Sequence, residues 1–148
     1  MTAPTPKRIS IAIVGLGRMG KRHVYTLLYR VPRARVVAVC TNLPHELDWA
    51  RANSEYRDFG ISVYEDYEEM LKHPGLDAVW VATSTDVHAS QTLAAVEKGL
   101  HVLCEKPLST DLEEAKRVVR AVEGKRGLKV MVSSYPTNLH TSNMGVRN

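Results

Sequence analysis

The sequence predicts an α/β fold in which helices cover both faces of a doubly wound parallel sheet. Two observations carry this prediction. Short, nearly continuously apolar segments rich in β-branched residues alternate with amphipathic helical segments along most of the chain, and such strands are typical of parallel sheets covered on both faces. The first of these strands also runs directly into a glycine-rich turn. Alternating strands and helices of this kind build one sheet through right-handed crossovers.

The glycine turn follows the most strongly predicted strand, residues 9–14, and has the spacing Gly-x-Gly-x-x-Gly. A strand before these glycines and a helical pattern after them form the dinucleotide-binding fingerprint of a Rossmann-type sheet. The first glycine allows a tight turn, the second leaves room for a pyrophosphate, and the third lets the helix pack closely on the sheet. The N-terminus of that helix offers N–H groups to phosphate oxygens. The residues predicted to bind the cofactor here are Gly15, Leu16, Gly17, Arg18, Met19 and Gly20.

The remaining elements follow the same alternation. Five further strands are expected at residues 35–40, 62–64, 78–82, 101–104 and 129–132. Helices are expected at residues 21–29, 44–53, 67–72 and 87–98, and a last one closes at Gly124. Pro44 suits a first helical turn, and Asp86 is expected to cap the helix that follows it. Thr110 and Glu113 are expected to form a capping box at the start of the last helix.

A chain of 148 residues has the length of one domain. We expect a disordered start at residues 1–8 and a dinucleotide-binding Rossmann domain at residues 9–132. Residues 133–148 are polar and show no periodicity, so we expect an irregular tail there.

Composition and charge narrow the range of partners. The net charge is only +4, and the basic residues of the first quarter lack the interleaved aromatic residues that stack on bases, so nucleic acid is not an expected partner. No apolar stretch has the form of a signal peptide or the length of a membrane span, so we expect a cytoplasmic protein. Cys40 and Cys104 are expected to be buried thiols. No residues have metal-ligand spacing, and no metal is expected.

The end of the second strand bears on the choice between NAD and NADP. An NAD-binding domain usually has Asp or Glu about 20 residues past the glycines, where it binds the ribose 2′-hydroxyl. Thr41 stands at that place. Because both Thr41 and Asn42 can donate hydrogen bonds to phosphate oxygens, the sequence slightly favours NADP over NAD as the cofactor. Against this, no arginine follows immediately, and Glu46 at the start of the next helix is another source of an acid.

Two more stretches lie where ligands of open α/β sheets bind, beyond the carboxyl ends of strands. The turn after the fourth strand contributes Ala82, Thr83, Ser84 and His88. The fifth strand lies within the string Gly-Leu-His-Val-Leu-Cys-Glu-Lys-Pro, which ends at Glu105, Lys106 and Pro107. Together with the glycine turn, this string resembles the N-terminal domain of the glucose–fructose oxidoreductase/inositol dehydrogenase (Gfo/Idh/MocA) family over about residues 7–132. Ser84 and Thr85 depart from the proline that is usual in this turn of the family.

The resemblance implies roles for several residues. Lys106 matches the catalytic lysine that hydrogen-bonds the substrate hydroxyl near the nicotinamide and assists proton transfer. Glu105 matches a residue near the nicotinamide ribose, and Pro107 matches a proline that often follows a cis peptide bond. His88 is implied to lie beside the nicotinamide as a structural hydrogen-bonding residue. A lysine without this flanking string would more often be a solvated surface residue.

The resemblance implies a second α/β domain that carries the substrate pocket in family members, and we expect this C-terminal substrate domain to be missing here. The expected function is therefore the NAD(P)-binding domain of an oxidoreductase acting on a sugar or polyol hydroxyl, truncated and little active alone. The alternative is a non-catalytic nucleotide sensor or regulatory protein. A third hypothesis, a domain that binds an adenosyl compound or a protein, is less favoured by the motifs. Whether the chain is an enzyme stays open at this point.

Overall fold

The computed structural model describes residues 7–134, so residues 1–6 of the expected start at 1–8 and residues 135–148 of the expected tail at 133–148 lie outside the described residues. The described part contains a six-stranded parallel sheet in the order β3-β2-β1-β4-β5-β6. The strands are β1 (Ile9–Val14), β2 (Ala34–Cys40), β3 (Ser62–Tyr64), β4 (Ala78–Val81), β5 (His101–Cys104) and β6 (Val130–Val132). The chain builds outward from β1 in one direction and then from β4 in the other. The strand order therefore reverses between β1 and β4, where ligands of such sheets bind.

Helices cover both faces of this sheet. They are α1 (Arg18–Arg30), α2 (Pro44–Ala52), α3 (Ser54–Asp58), α4 (Tyr67–Met70), α5 (Thr85–Glu97) and α6 (Leu112–Glu123). One core lies under α4, α5 and α6, and the other lies under α1, α2 and α3. Successive residues of β1 serve both cores, because Val14 packs in the first and Ile13 in the second. The prediction of a doubly wound α/β sheet is confirmed.

The structure corrects three details of the helices. The five-residue helix α3 was not expected, because the sequence pattern ended at Asn53; this residue ends α2 and also caps α3 by accepting from the backbone N–H of Tyr56. Helix α5 begins with Ser84 as its N-cap residue, so Asp86 lies inside the first turn. Asp111 rather than Thr110 caps α6, because its carboxylate accepts from two backbone N–H groups of the first turn.

The two cysteines are free and buried, as the sequence predicted. Burial raises the pKa of Cys40 to about 12 and that of Cys104 to about 11. Both side chains pack in the core, where burial favours the protonated thiol over the thiolate. Over residues 7–134, no helix has the length and apolarity needed to cross a membrane.

Candidate functional site

The glycine turn lies at the switch point, and two of its glycines are required by the backbone. Gly15 has a φ of 91°, and a Cβ there would lie 2.5 Å from the carbonyl oxygen of Ala82. A Cβ on Gly20 would lie 1.8 Å from the carbonyl oxygen of Gly15. The sequence expected Gly20 to permit close packing on the sheet; the contact that requires it is with the turn itself. The first turn of α1 is thereby held against the end of β1.

Gly17 has a different surrounding. The nearest atom to a Cβ at Gly17 would be Oε1 of Glu46, at 3.8 Å. Gly17 is also the N-cap residue of α1, and no side chain caps that helix end. Because helix N-termini favour anions, this open face with its backbone N–H groups fits a pyrophosphate.

Two adjoining hollows flank the glycine turn. The larger has a volume of about 700 Å³ and lies over the ends of β1, β2 and β3, and the smaller has about 440 Å³ and reaches the end of β5. The larger hollow contains Gly15, Leu16, Thr41 and Asn42, the smaller contains Arg18, Met19, His88, Glu105 and Lys106, and both contain Gly17, Ala82, Thr83 and Ser84. All residues predicted to bind the cofactor except Gly20 thus line one continuous cleft.

The end of β2 is arranged around a buried carboxylate. Glu46, in the first turn of α2, is only 7 % exposed, and Thr41 is 4 % exposed. The Thr41 hydroxyl donates to Oε2 of Glu46 at 2.5 Å, and the backbone N–H of Leu16 donates to the same oxygen at 3.3 Å. The Thr41 hydroxyl proton is therefore committed to Glu46, and the expectation that it donates to a phosphate is not supported.

Glu105 is held by residues from two distant parts of the chain. Nε2 of His23, on α1, donates to one carboxylate oxygen at 2.7 Å, and the Ser133 hydroxyl donates to the other at 2.7 Å. Burial alone would raise the pKa of Glu105, but the hydrogen bonds from Ser133 and His23 outweigh it and hold the pKa below its ordinary value. Glu105 is thus an ionised carboxylate, and because it only accepts, the His23 ring carries its proton on Nε2. The same ring stacks on Trp80, with centroids 3.9 Å apart.

The peptide bond between Lys106 and Pro107 is cis, as the resemblance implied. Lys106 is exposed at the edge of the smaller hollow. His88 is 2 % exposed, and its ring lies between two carbonyl oxygens, that of Pro107 at 2.7 Å from Nδ1 and that of Thr83 at 3.0 Å from Nε2. His88 therefore ties the loop that carries Lys106 to the loop after β4, which agrees with a structural role.

Several residues of the larger hollow were not predicted. They are Glu65, Asp66, Tyr67 and Gln91, whereas Glu46 had been named as a possible source of an acid. Gln91 is fixed from both sides, because its side-chain oxygen accepts from Thr83 and its backbone carbonyl accepts from Tyr67. Glu65 and Asp66 follow β3 directly, so their position after a strand was the signal that could have found them.

The fold and the site together define a class of protein: a Rossmann-type dinucleotide-binding domain. The model of a family described as an oxidoreductase family with an NAD-binding Rossmann fold, GFO_IDH_MocA, matches residues 9–134. The chain belongs to this family, and the resemblance inferred from the motifs is confirmed.

Known relatives agree with this assignment. The chain is 37% identical over 117 residues to the scyllo-inositol 2-dehydrogenase (NAD(+)) of Bacillus subtilis, covering 78% of this chain and 33% of the relative. It is 36% identical over 115 residues to an inositol 2-dehydrogenase of Rubrobacter xylanophilus, covering 78% and 32%. A crystal structure of scyllo-inositol dehydrogenase from Lactobacillus casei with NAD(H) and scyllo-inositol superposes with a TM-score of 0.76 and 33% identity, covering 86% and 36%. The chain thus spans about a third of the length of these relatives.

Proposed function

We propose that residues 9–134 form the cofactor-binding half of an NAD-dependent oxidoreductase that acts on a hydroxyl group of a polyol or sugar. The observation that carries this proposal is the continuous cleft at the switch point, with the glycine turn at its centre and Lys106 at one end. The inositol dehydrogenases among the relatives support the substrate class. The proposal places the protein in the cytoplasm, with a dinucleotide and a polyol as ligands and without nucleic acid.

The two hollows suggest how the parts of the dinucleotide are held. Gly17 and the N-terminus of α1 would hold the pyrophosphate, the larger hollow would hold the adenosine, and the smaller would hold the nicotinamide beside Glu105. A bound nicotinamide supplies a hydride acceptor for the substrate carbon. Lys106 is the group placed to hydrogen-bond the reacting hydroxyl and to hold a proton there. Glu105, next to Lys106 in the chain, is hydrogen-bonded to His23 of α1. Buried His88 holds the segment after Lys106 against the loop after β4 through the carbonyls of Pro107 and Thr83.

Replacement of Gly17 by Val tests the cofactor site. The φ of Gly17 is −65°, which any residue adopts, so the variant should fold, but its side chain would occupy the space of the pyrophosphate. We expect Gly17→Val to lose NAD binding by at least about 100-fold in calorimetry, since it removes close approach to the pyrophosphate. Gly124→Val is the matched control, because a Cβ there meets nothing within 4 Å and the site is the C-cap of α6. Equal affinity of wild type and Gly17→Val would refute the proposal.

The choice between NAD and NADP depends on what meets the 2′ position of the adenosine ribose. The sequence slightly favoured NADP as the cofactor, because Thr41 stands where an acidic residue is usual. In the structure, the buried carboxylate of Glu46 lies beside Thr41 and accepts a hydrogen bond from its hydroxyl. We therefore propose NAD as the preferred cofactor.

A second candidate function is cofactor binding without turnover, as in a sensor of the dinucleotide. It is favoured by the exposure of Lys106, because a group that transfers protons in a dehydrogenase site is usually enclosed away from water. Turnover assays on a panel of polyols separate the two functions.

A further inference from the structure

We propose that Glu46 is the acceptor for the adenosine ribose 2′-hydroxyl and thereby the residue that selects NAD over NADP. This inference rests on the proposed function, since it needs a dinucleotide in the larger hollow. It assigns to a helix residue the role that Rossmann domains ordinarily give to an acid at the end of β2.

The position of the Glu46 carboxylate carries the argument. Glu46 lies beyond the usual place of the acid in sequence, in the first turn of α2, but its side chain reaches back to the end of β2 and to the glycine turn. Hydrogen bonds from Thr41 and from the Leu16 backbone pin Oε2. The carboxylate is therefore held by both the end of β2 and the glycine turn, the two segments that a dinucleotide would contact at this end of the cleft.

The second carboxylate oxygen faces the space that a ligand would occupy. Among the described residues, none donates a hydrogen bond to Oε1 of Glu46. This oxygen lies 3.8 Å from the position of a Cβ on Gly17, beside the proposed pyrophosphate site. Glu46 lines the larger hollow, so this oxygen is open to a ligand there and can accept a hydrogen bond from a ribose hydroxyl. Because Oε2 is already held, Oε1 is oriented for a ligand before binding.

The charge around the larger hollow is consistent with this selection. Four acidic residues line it, namely Glu46, Glu65, Asp66 and Asp86, and no lysine or arginine in the described part of the chain does so. An NADP site normally presents an arginine to the 2′-phosphate, and a phosphate monoester brings about −1.5 to −2 charges at neutral pH. The negative charge of a 2′-phosphate would be repelled by the nearby Glu46 carboxylate. The hollow thus disfavours NADP and favours the uncharged hydroxyl of NAD.

Thr41 acts in this arrangement as a positioning residue. Its hydroxyl donates to Oε2 of Glu46 and accepts from the backbone N–H of Leu43. It therefore links the end of β2 to the start of α2. An acid at position 41 would instead place two carboxylates side by side.

The test compares Glu46→Gln with wild type by calorimetry, using NAD, NADP and 2′-deoxy-NAD. We expect wild type to bind NAD at least about tenfold more tightly than 2′-deoxy-NAD and NADP, the factor for loss of one hydrogen bond to a charged group. In Glu46→Gln, NAD binding should weaken and NADP binding improve, so that the two affinities lie within about threefold of each other. Asp48→Asn is the matched control, because it removes the same charge from an exposed residue of the same helix and should keep the wild-type ratio.

Glu46→Asp covers the case in which Glu46→Gln does not fold. It keeps the charge but withdraws the carboxylate by one methylene, so NAD should weaken while NADP remains rejected. The inference is overturned if Glu46→Gln keeps the wild-type preference, or if wild type binds NADP or 2′-deoxy-NAD as tightly as NAD. If no dinucleotide binds to wild type at all, the proposed function fails with it; if NAD binding depends on Gly17 but not on Glu46, only this inference fails.

Discussion

At the scale of single residues, the hydrogen-bond partners of Glu105 are the feature that its sequence motif could not reveal. The Glu-Lys-Pro string marked Glu105 in the sequence, but its partners could not be inferred, because His23 and Ser133 lie 82 and 28 residues away in the chain. Ser133 had been assigned to the tail on its polar surroundings. Its backbone N–H in fact donates to the carbonyl of Cys104 at 2.8 Å, and its hydroxyl holds Glu105. A polar residue that ends a strand is indistinguishable from a tail until its partner is known.

Replacement of Ser133 by Ala should destabilise the fold in a pH-dependent way. The variant leaves one oxygen of a largely buried carboxylate without its donor, at a cost of about 1–2 kcal/mol in the free energy of unfolding. The folded pKa of Glu105 is lowered from its ordinary value of 4.5. Its contribution is therefore complete above that pH and is lost as the pH falls through the folded pKa. Urea denaturation at pH 7 and at a series of acidic pH values measures the difference.

The exposed neighbour Ser134 provides the control for this prediction. Ser134→Ala should change the free energy of unfolding by less than about 0.5 kcal/mol at every pH. A Ser133→Ala effect that stayed constant down to acid would show that Glu105 is not the group responsible.

At the scale of elements, the hydrophobic pattern predicted the strands, whose positions depend on packing. It missed helix α3 and the caps of α5 and α6, which depend on local hydrogen bonds. The six strands agree with the sequence within one residue, because each contains a short apolar run, and the central strands β1 and β2 bury apolar side chains in both cores. Helix α3 was missed because five residues cannot show a helical period. The caps of α5 and α6 were misplaced because adjacent polar residues, such as Thr110 and Asp111, are equally suitable by type. Among the site residues, those in motifs were predicted from the sequence. Glu46 was named there as a possible acid, but only the fold shows that this helix residue reaches the end of β2.

Mutagenesis can distinguish Asp111 from Thr110 as the N-cap residue of α6. The Asp111 carboxylate accepts from the backbone N–H groups of Glu113 and Glu114 at 2.7 and 3.2 Å. Asp111→Ala should therefore lower the free energy of unfolding by about 1 kcal/mol, whereas Thr110→Ala should change it by less than about 0.5 kcal/mol. Denaturant unfolding followed by circular dichroism measures both. The reverse order of effects would restore Thr110 as the cap.

For the molecule as a whole, the cleft collects loops from both halves of the sheet. The glycine turn and the ends of β2 and β3 form the larger hollow, and the loops after β4 and β5 complete the smaller one. This division follows from the reversal of strand order between β1 and β4. Lys106 stands at the end of the cleft and is exposed, so the described residues enclose the cofactor side of the proposed reaction more fully than the substrate side.

The 148-residue chain assayed alone should therefore bind NAD but show little turnover. Positioning of the reacting groups can lower a barrier by roughly 7–11 kcal/mol, whereas acid–base assistance contributes about 10²–10⁴-fold. In the proposed function Lys106 would supply part of the second effect only, since the substrate carbon must also be held against the nicotinamide by groups that the described residues do not provide. The assay follows NADH absorbance with a panel of inositols and sugars at high protein concentration, and calorimetry with NAD confirms that the same sample binds cofactor. Robust turnover that disappears in Lys106→Ala, with NAD affinity unchanged, would contradict this prediction and would show that the cleft is sufficient for catalysis.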